Sequence, residues 1–207
     1  DRSVSRGLGD VYKRQLLINP FVASINTGLN NFLFSMSGVN KVILGAILAG
    51  MMSVDLGGPV NKAAYTFGTG MLAEGHYEIM AAVMIGGMVA PLAIAILATF
   101  FPKKLPKKER QAGLLNYVMG LSFISEGAIP FASADPIRVL PACVIGSAVS
   151  GALSMAFNCS LMAPHGGIFV LPLIGNPGWY TLALVVGSVI AAGIMAIFKK
   201  NVWENTV

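Results

Sequence analysis

Residues 79–101 read IMAAVMIGGMVAPLAIAILATFF, a run of about 23 residues without a charged side chain. An α-helix needs about 20 predominantly apolar residues to cross a hydrocarbon core roughly 30 Å thick. The run is therefore long enough to cross a bilayer with some tilt. It predicts a membrane-spanning helix and places the chain in the class of helical membrane proteins.

The composition of the whole chain indicates the same class. Only 11% of the 207 residues are charged and 55% are hydrophobic, whereas about a quarter of a soluble domain is charged. The net charge of +5 is concentrated in two segments that follow apolar runs, residues 102–111 and 199–200. Basic residues at such positions mark the cytoplasmic loops of membrane proteins. We therefore expect an integral membrane protein and no nucleic-acid partner.

The positions of the other apolar runs predict the topology. If both basic segments lie in the cytoplasm, the number of crossings between them is even, and residues 139–157 and 179–198 supply two. The segments 113–131 and 160–174 should then be re-entrant or otherwise non-crossing, and both contain the Gly and Pro residues that such segments need. The predicted fold is an all-α integral membrane protein, a polytopic helical bundle with re-entrant and broken segments.

Small residues recur at four-residue spacing within the apolar runs, where they allow close backbone approach between membrane helices. The pairs are Gly86 with Ala90, Gly146 with Ser150, Ser147 with Gly151, and Gly187 with Ala191. We expect these positions to lie where helices contact each other.

Residues 1–15, DRSVSRGLGDVYKRQ, differ in character from the rest of the chain. They are polar and basic, they begin without Met, and they lack the apolar core of a signal peptide. We expect them to be a non-native extension. Residues 16–207 should form a membrane domain that is the C-terminal part of a longer protein.

Two ionisable side chains stand alone in apolar sequence. Glu126 lies in SFISEGAIPF (residues 122–131), and His165 lies in APHGG (residues 163–167). An unpaired charge in hydrocarbon costs several kcal/mol, so such groups usually line a polar pathway or binding site. Glycines such as Gly166 allow a ligand to approach the backbone. Because a carboxylate accepts hydroxyl donors and an imidazole donates or accepts, both residues suit an uncharged polyol, although His165 as a hydrogen-bonded core residue is the alternative.

Other polar residues have structural explanations of similar weight. In DLGGPVNK (residues 55–62), Asp55 and Lys62 fit a structural ion pair or a solvated loop about as well as a substrate role. Asn61 from the same loop is a further candidate for substrate binding. Asp135 and Arg138 are three residues apart at a predicted helix start, which favours an N-terminal cap with a local ion pair.

The two cysteines, Cys143 and Cys159, show neither CxxC nor metal-ligand spacing. They are expected to be small buried residues. The chain contains no phosphate-binding Walker loop, no His-Glu-x-x-His and no dinucleotide fingerprint. We expect neither a metal nor a cofactor.

Three ordered segments carry a family resemblance: DLGGPVNKAAYTFG (55–68), GLSFISEGAIPFASADPIRVLPACVIGSAVSGALSM (120–155) and APHGGIFV (163–170). They closely resemble the fructose-type membrane permease, enzyme IIC, of the bacterial phosphotransferase system. The resemblance extends over residues 16–198 and implies the glucose-superfamily enzyme IIC fold in the bacterial inner membrane. Ser125 stands where the family more often has Thr, and it keeps the hydroxyl.

The resemblance implies a permease that binds fructose and translocates it for coupled phosphorylation by a phosphocysteine IIB partner. IIA and the phosphocarrier protein HPr act upstream of IIB. By analogy, Glu126 would hold the hydroxyl to be phosphorylated and accept its proton, and His165 would orient the sugar ring. Neither cysteine lies in the Cys-Pro motif of IIB, so the isolated chain should not phosphorylate sugar alone. The resemblance also implies a homodimer of the full-length permease.

Three alternatives stay open at this point. An ion-coupled secondary sugar transporter would use Glu126 and Asp55 as proton or sodium sites, which broken helices also suit. A fructose-like phosphotransferase permease would take another sugar, such as mannosylglycerate. A non-transporting membrane subunit would bind no sugar.

Overall fold

The computed structural model describes residues 41–201. Its helices are α1 (Lys41–Val54), α2 (Pro59–Ala73), α3 (Tyr77–Phe100), α4 (Lys107–Leu121), α5 (Ile129–Ala134), α6 (Pro136–Ala156) and α7 (Pro177–Phe198). Short 3-10 helices cover Pro102–Lys104, Ser125–Ala128 and Gly167–Leu173, and two short strands are β1 (Ser160–Leu161) and β2 (Ile174–Gly175). The expectation for residues 1–15 lies outside the described residues and stays a prediction.

Three helices of this range, α3, α6 and α7, are long and apolar enough to cross a membrane. They confirm the spans predicted for residues 79–101, 139–157 and 179–198. Helix α3 is the centre of the bundle, since nearly all its residues from Ile79 to Ala98 are buried. A helix that is apolar on all sides is expected in such a position, surrounded by other helices.

Small residues let the helices approach closely, as the four-residue spacing predicts. Gly45 of α1 faces Gly151 of α6, and Gly146 of α6 faces Gly187 of α7. A Cβ atom at any of these four positions would collide with the backbone of the facing helix. Close packing between small residues replaces the hydrophobic effect as the main force that joins helices in lipid.

A buried polar contact joins α1, α3 and α6 at one level of the bundle. The hydroxyl oxygens of Ser53 and Ser147 are 2.6 Å apart, and Ser147 Oγ donates to the carbonyl of Gly86 at 3.0 Å. Such interhelical hydrogen bonds contribute about 0.6 kcal/mol each in membrane proteins. They supplement the close packing and fix the helix register.

The two basic segments meet at one end of the bundle, which we call the basic end. Lys104 Nζ, after α3, donates to the carbonyl of Lys199, after α7, at 2.7 Å. Lys199 Nζ lies 3.6 Å from Asp135 Oδ2, just before α6. The chain from α4 to α5 therefore leaves the basic end and returns to it, as the re-entrant prediction requires. At the opposite end, Lys41 and Glu78, at the starts of α1 and α3, form an ion pair of 3.2 Å.

Asp135 and Arg138 form the predicted local ion pair, with Nη1 and Oδ2 3.1 Å apart. The predicted side-chain cap is not formed, because no backbone N–H at the start of α6 bonds to this carboxylate. The carboxylate is instead shared between Arg138 and Lys199.

The segment between α6 and α7 also begins and ends at the same place in the bundle. Strands β1 and β2 pair in antiparallel fashion, with Ser160 opposite Gly175. The residues between them form the 3-10 helix Gly167–Leu173 and do not cross the bundle, which agrees with the prediction for residues 160–174. This two-residue pairing is an addition to the predicted all-α class, since strands so short produce no periodic sequence signal.

Candidate functional site

A cavity of about 290 Å³ lies where the two chain interruptions at residues 55–58 and 122–126 meet the segment that contains His165. Its lining residues are Met52, Gly57, Asn61, Lys62, Tyr65, Phe123, Ile124, Ser125, Glu126 and His165. Irregular backbone at membrane depth is tolerated where it lines a cavity or is buried in protein. The cavity is therefore the candidate binding site of this bundle.

A strained turn after α4 directs the second interruption into the cavity. Phe123 has a left-handed backbone conformation with φ of 63°, which is unusual for an aromatic residue. Its ring is buried against Gly87 of α3, where a side chain would collide with the ring. The buried ring thus anchors the turn, and the 3-10 helix Ser125–Ala128 begins two residues later.

Glu126 extends from this 3-10 helix to the cavity. Its Oε1 lies only 3.0 Å from the position that a Cβ atom of Gly57 would occupy. Gly57, with φ of 107°, therefore lets the carboxylate approach the backbone of the first interruption. Within residues 41–201, no hydrogen bond or ion pair engages the Glu126 carboxylate, so both of its oxygens are open to a ligand.

His165 reaches the same cavity from the segment between α6 and α7. Its ring packs edge-on against Phe123, with ring centroids 5.2 Å apart. The ring centroids of Tyr65 and Phe123 are 6.3 Å apart. Gly167 makes this approach possible, since a side chain there would collide with the carbonyl of Leu121 at the end of α4. The two predicted re-entrant segments thus meet, and they bring Glu126 and His165 to one cavity.

Ser125 and Asn61 line the cavity, while Gly166 is absent from the lining. Asn61 is buried, and its Nδ2 donates to the carbonyl of Met52 at 2.6 Å. Asn61 can therefore offer a ligand its Oδ1 as an acceptor and the second N–H of Nδ2 as a donor. Gly166, with φ of 131°, supplies the turn that follows His165.

Asp55 is hydrogen-bonded to the backbone at the start of α2. Its Oδ2 accepts a hydrogen bond from the N–H of Val60 at 2.7 Å, and its Oδ1 accepts one from the N–H of Asn61 at 3.0 Å. These donors lie in the first turn of α2, where N–H groups have no partner within the helix. The structural ion pair with Lys62, one of the alternatives the sequence left open, is not formed, and both carboxylate oxygens instead accept backbone N–H donors. Asp55 lines a second cavity of about 330 Å³ beside α5 and α6.

Sequence reasoning did not name five residues of the cavity wall, Met52, Gly57, Tyr65, Phe123 and Ile124, and it left a substrate role for Lys62 open. For Lys62, an ion pair with Asp55 or a solvated loop fitted the sequence about as well as a substrate role, and the two aromatic residues lie in apolar sequence where they carry no distinguishing signal. Across residues 41–201, no group of three or more His, Cys, Asp or Glu side chains is arranged to hold a metal ion.

The sequence model of the family described as "Phosphotransferase system, EIIC" matches residues 15–146. This chain belongs to that family. EIIC is the permease component of the system, so the chain is a multi-pass helical protein of the bacterial inner membrane and part of a transferase system. The resemblance to enzyme IIC is thereby confirmed for residues 16–146.

Several curated proteins are similar to this EIIC chain. The fructose permease IIC component of Bacillus amyloliquefaciens is 50% identical over 191 residues, which are 92% of this chain and 62% of that protein. The fructose-specific EIIABC component of Bacillus subtilis is 49% identical over 191 residues, 92% of this chain and 30% of that protein. The fructose-specific EIIC component of Haloferax volcanii is 45% identical over 181 residues, 87% and 48% of the two chains.

The EIIC chain thus spans between 30% and 62% of the length of these three relatives. No solved structure matches it with significance.

Proposed function

We propose that this EIIC chain is the sugar-binding part of a fructose-type phosphotransferase permease, and that fructose binds in the Glu126 cavity. The unengaged carboxylate of Glu126, facing a cavity in the family's permease component, carries the proposal. The cavity volume of about 290 Å³ is near the lower limit of small-molecule sites, roughly 300–1,000 Å³. That volume suits a ligand as small as a monosaccharide. The relatives named fructose-specific support the choice of sugar.

The side chains around the cavity match the hydrogen-bonding groups of a sugar. Glu126 can accept from two hydroxyl groups, Asn61 can accept through Oδ1, and Ser125 can donate or accept. His165 can do either with its ring nitrogens. The rings of Phe123 and Tyr65 offer apolar surface to the carbon face of the sugar, so the cavity combines a few polar groups with an apolar wall.

In the proposed reaction, a sugar hydroxyl attacks the phosphorus of a phosphocysteine on the IIB partner. A P–O bond forms, the P–S bond breaks, and the cysteine leaves as a thiolate. Glu126 accepts the hydroxyl proton as the general base, a role worth about 10²–10⁴ in rate. IIB is supported as the partner by the fused EIIABC relative. By the resemblance to enzyme IIC, the proposal includes IIA and HPr upstream of IIB and a permease homodimer.

The test uses the permease as it occurs in the membrane, in inverted vesicles with purified IIB and the upstream phosphocarriers. Labelled fructose should appear as sugar phosphate only when phosphoenolpyruvate is supplied, and ionophores should leave its formation unchanged. Accumulation of unmodified sugar in right-side-out vesicles, stopped by an ionophore, would favour the ion-coupled transporter instead. A panel that includes mannosylglycerate and other hexoses tests the choice of sugar, and fructose should compete best.

A further inference from the structure

Lys62 is a charged residue of the cavity wall that fructose binding leaves unexplained. It lies on the first turns of α2, directly after Asn61 and three residues before Tyr65, and all three side chains line the cavity with Glu126. Residues three apart on a helix lie on neighbouring faces, so Lys62 and Tyr65 border the same side of the cavity.

The ammonium group of Lys62 has no anionic partner in the described range. No carboxylate oxygen of residues 41–201 lies within 4.0 Å of its Nζ, although DLGGPVNK places Asp55 seven residues away. The two oxygens of Asp55 are held by the backbone of Val60 and Asn61. Lys62 is exposed, so water solvates its charge, and it faces the site without a carboxylate partner among residues 41–201.

A neutral sugar needs no such cation, but a phosphoryl group does. Charge on a phosphoryl group in transfer is spread over its three equatorial oxygens, and positioned cations stabilise it. An ammonium group is a compact donor with three N–H bonds and commonly binds phosphate as a point charge. The nearby N-terminus of α2 cannot substitute for it, because Asp55 already accepts the N–H groups of Val60 and Asn61.

We propose that Lys62 is the residue of this cavity that binds the phosphoryl group, both during transfer and in the phosphorylated product. The proposal rests on the proposed function. In the transfer step, the sugar hydroxyl oxygen forms the P–O bond as the P–S bond of the phosphocysteine breaks. The proton passes to Glu126, the thiolate leaves on IIB, and Lys62 contacts the phosphoryl oxygens throughout.

The experiment compares Lys62→Gln and Lys62→Arg with the wild-type permease in membranes, together with IIB. Three quantities are measured: fructose affinity without phosphate donors, phosphoenolpyruvate-dependent phosphorylation, and exchange of label between fructose and the sugar phosphate that the wild type makes. For Lys62→Gln we expect fructose affinity within about threefold of wild type, because the free sugar carries no charge. Phosphorylation should fall by about 10²–10³, the usual cost of losing one positioned donor.

The exchange reaction separates phosphate recognition from a structural role. In Lys62→Gln the half-saturating concentration of sugar phosphate should rise by at least about tenfold, whereas that of fructose should not change. Lys62→Arg keeps the charge and should recover part of both losses. Lys200→Gln is the matched control, since it removes an exposed positive charge outside the cavity and should behave as wild type.

Each result is decisive for Lys62. Wild-type phosphorylation and exchange in Lys62→Gln would overturn the proposal, and so would an equal loss of fructose and sugar phosphate affinity. If Lys62→Gln does not assemble in the membrane, Lys62→Met, which keeps the alkyl stem, replaces it. Failure of the wild-type permease to bind fructose would instead reject the proposed function, which distinguishes the two failures.

Discussion

Asp55 and Glu126 have nearly the same sequence setting and opposite structural environments. Each is an acid at a helix interruption, followed closely by Gly and Pro. Both carboxylate oxygens of Asp55 accept hydrogen bonds from backbone N–H groups of α2. The carboxylate of Glu126, by contrast, has no partner within residues 41–201. A carboxylate held by two backbone donors stabilises the fold, and one left open at a cavity is available to a ligand. The motif alone does not separate these roles.

The cause of the difference lies in the chain that follows each acid. After Asp55, a turn through Gly57 and Gly58 brings the N-terminus of α2 back to the carboxylate. Glu126 lies inside a 3-10 helix that continues directly into α5, whose first turn contains Pro130 and so lacks one N–H. Among residues 41–201, no backbone N–H donates to the carboxylate of Glu126.

Glu126→Gln should have the largest effect. The amide keeps the shape of the side chain but loses the charge and the base function, so phosphorylation should fall by at least about a hundredfold. Fructose affinity should weaken less, since the amide oxygen still accepts one hydroxyl. Both quantities are measured on the same purified permease with IIB. Glu74→Gln, an exposed acid in the turn between α2 and α3, is the control. Near wild-type phosphorylation in Glu126→Gln would contradict the role of Glu126 as the general base.

Gly57→Ala tests the point where the two regions touch. The new Cβ would lie 3.0 Å from Glu126 Oε1, and a side chain at φ of 107° is strained. We expect the new Cβ to displace the Glu126 carboxylate. A loss of about 1.4 kcal/mol in binding free energy would lower fructose affinity about tenfold. Gly70→Ala is the matched control, because its Cβ would meet no atom within 4 Å, and it should leave affinity unchanged. Equal affinity in the two variants would show that the Asp55 turn does not position Glu126.

Asp55→Asn should affect folding more than binding. The amide has one acceptor oxygen in place of two, so one of the hydrogen bonds from the N–H groups of Val60 and Asn61 is lost. Loss of an N-terminal cap typically costs about 1 kcal/mol. We expect less folded permease and a lower melting temperature in detergent, with fructose affinity changed by less than about threefold. Size-exclusion chromatography, thermal unfolding and binding measure these effects. A variant that folds normally but does not bind fructose would move Asp55 into the sugar site.

Much of the fold follows from local sequence, and the site follows only in part. The spans α3, α6 and α7 could be predicted because apolar length alone decides whether a helix crosses lipid. The proximity of Glu126 and His165 could be predicted because isolated ionisable groups in apolar sequence collect at polar sites.

The partners of Asp55 and Lys62 could not be predicted in the same way. Which donor reaches Asp55 depends on backbone angles at Gly57 and Gly58, and those angles are not encoded in residue type alone. The place of Phe123 depends on the space above Gly87 of α3, some 36 residues earlier. Such contacts belong to the packed bundle, so apolar patterning does not reveal them.

The smallest effect is expected from substitutions that report topology. Lys107→Cys and Lys200→Cys, each in a variant without Cys143 and Cys159, should leave transport unchanged. Both native cysteines are buried, so their replacement by Ala or Ser removes background labelling at little cost. A membrane-impermeant thiol reagent should label positions 107 and 200 from the same side, because Lys104 and Lys199 are hydrogen-bonded at the basic end.

Glu74→Cys in the same background gives the opposite end, since it lies in the turn between α2 and α3 near the Lys41–Glu78 ion pair. It should be labelled only from the other side of the membrane. This pattern would mean that the chain approaches Glu126 from the basic end, through α4, and approaches Asp55 from the opposite end, through α1. Labelling of positions 107 and 200 from different sides would contradict the even number of crossings between them. Glu126 would then no longer lie on a re-entrant segment, and its contrast with Asp55 would need a different structural basis.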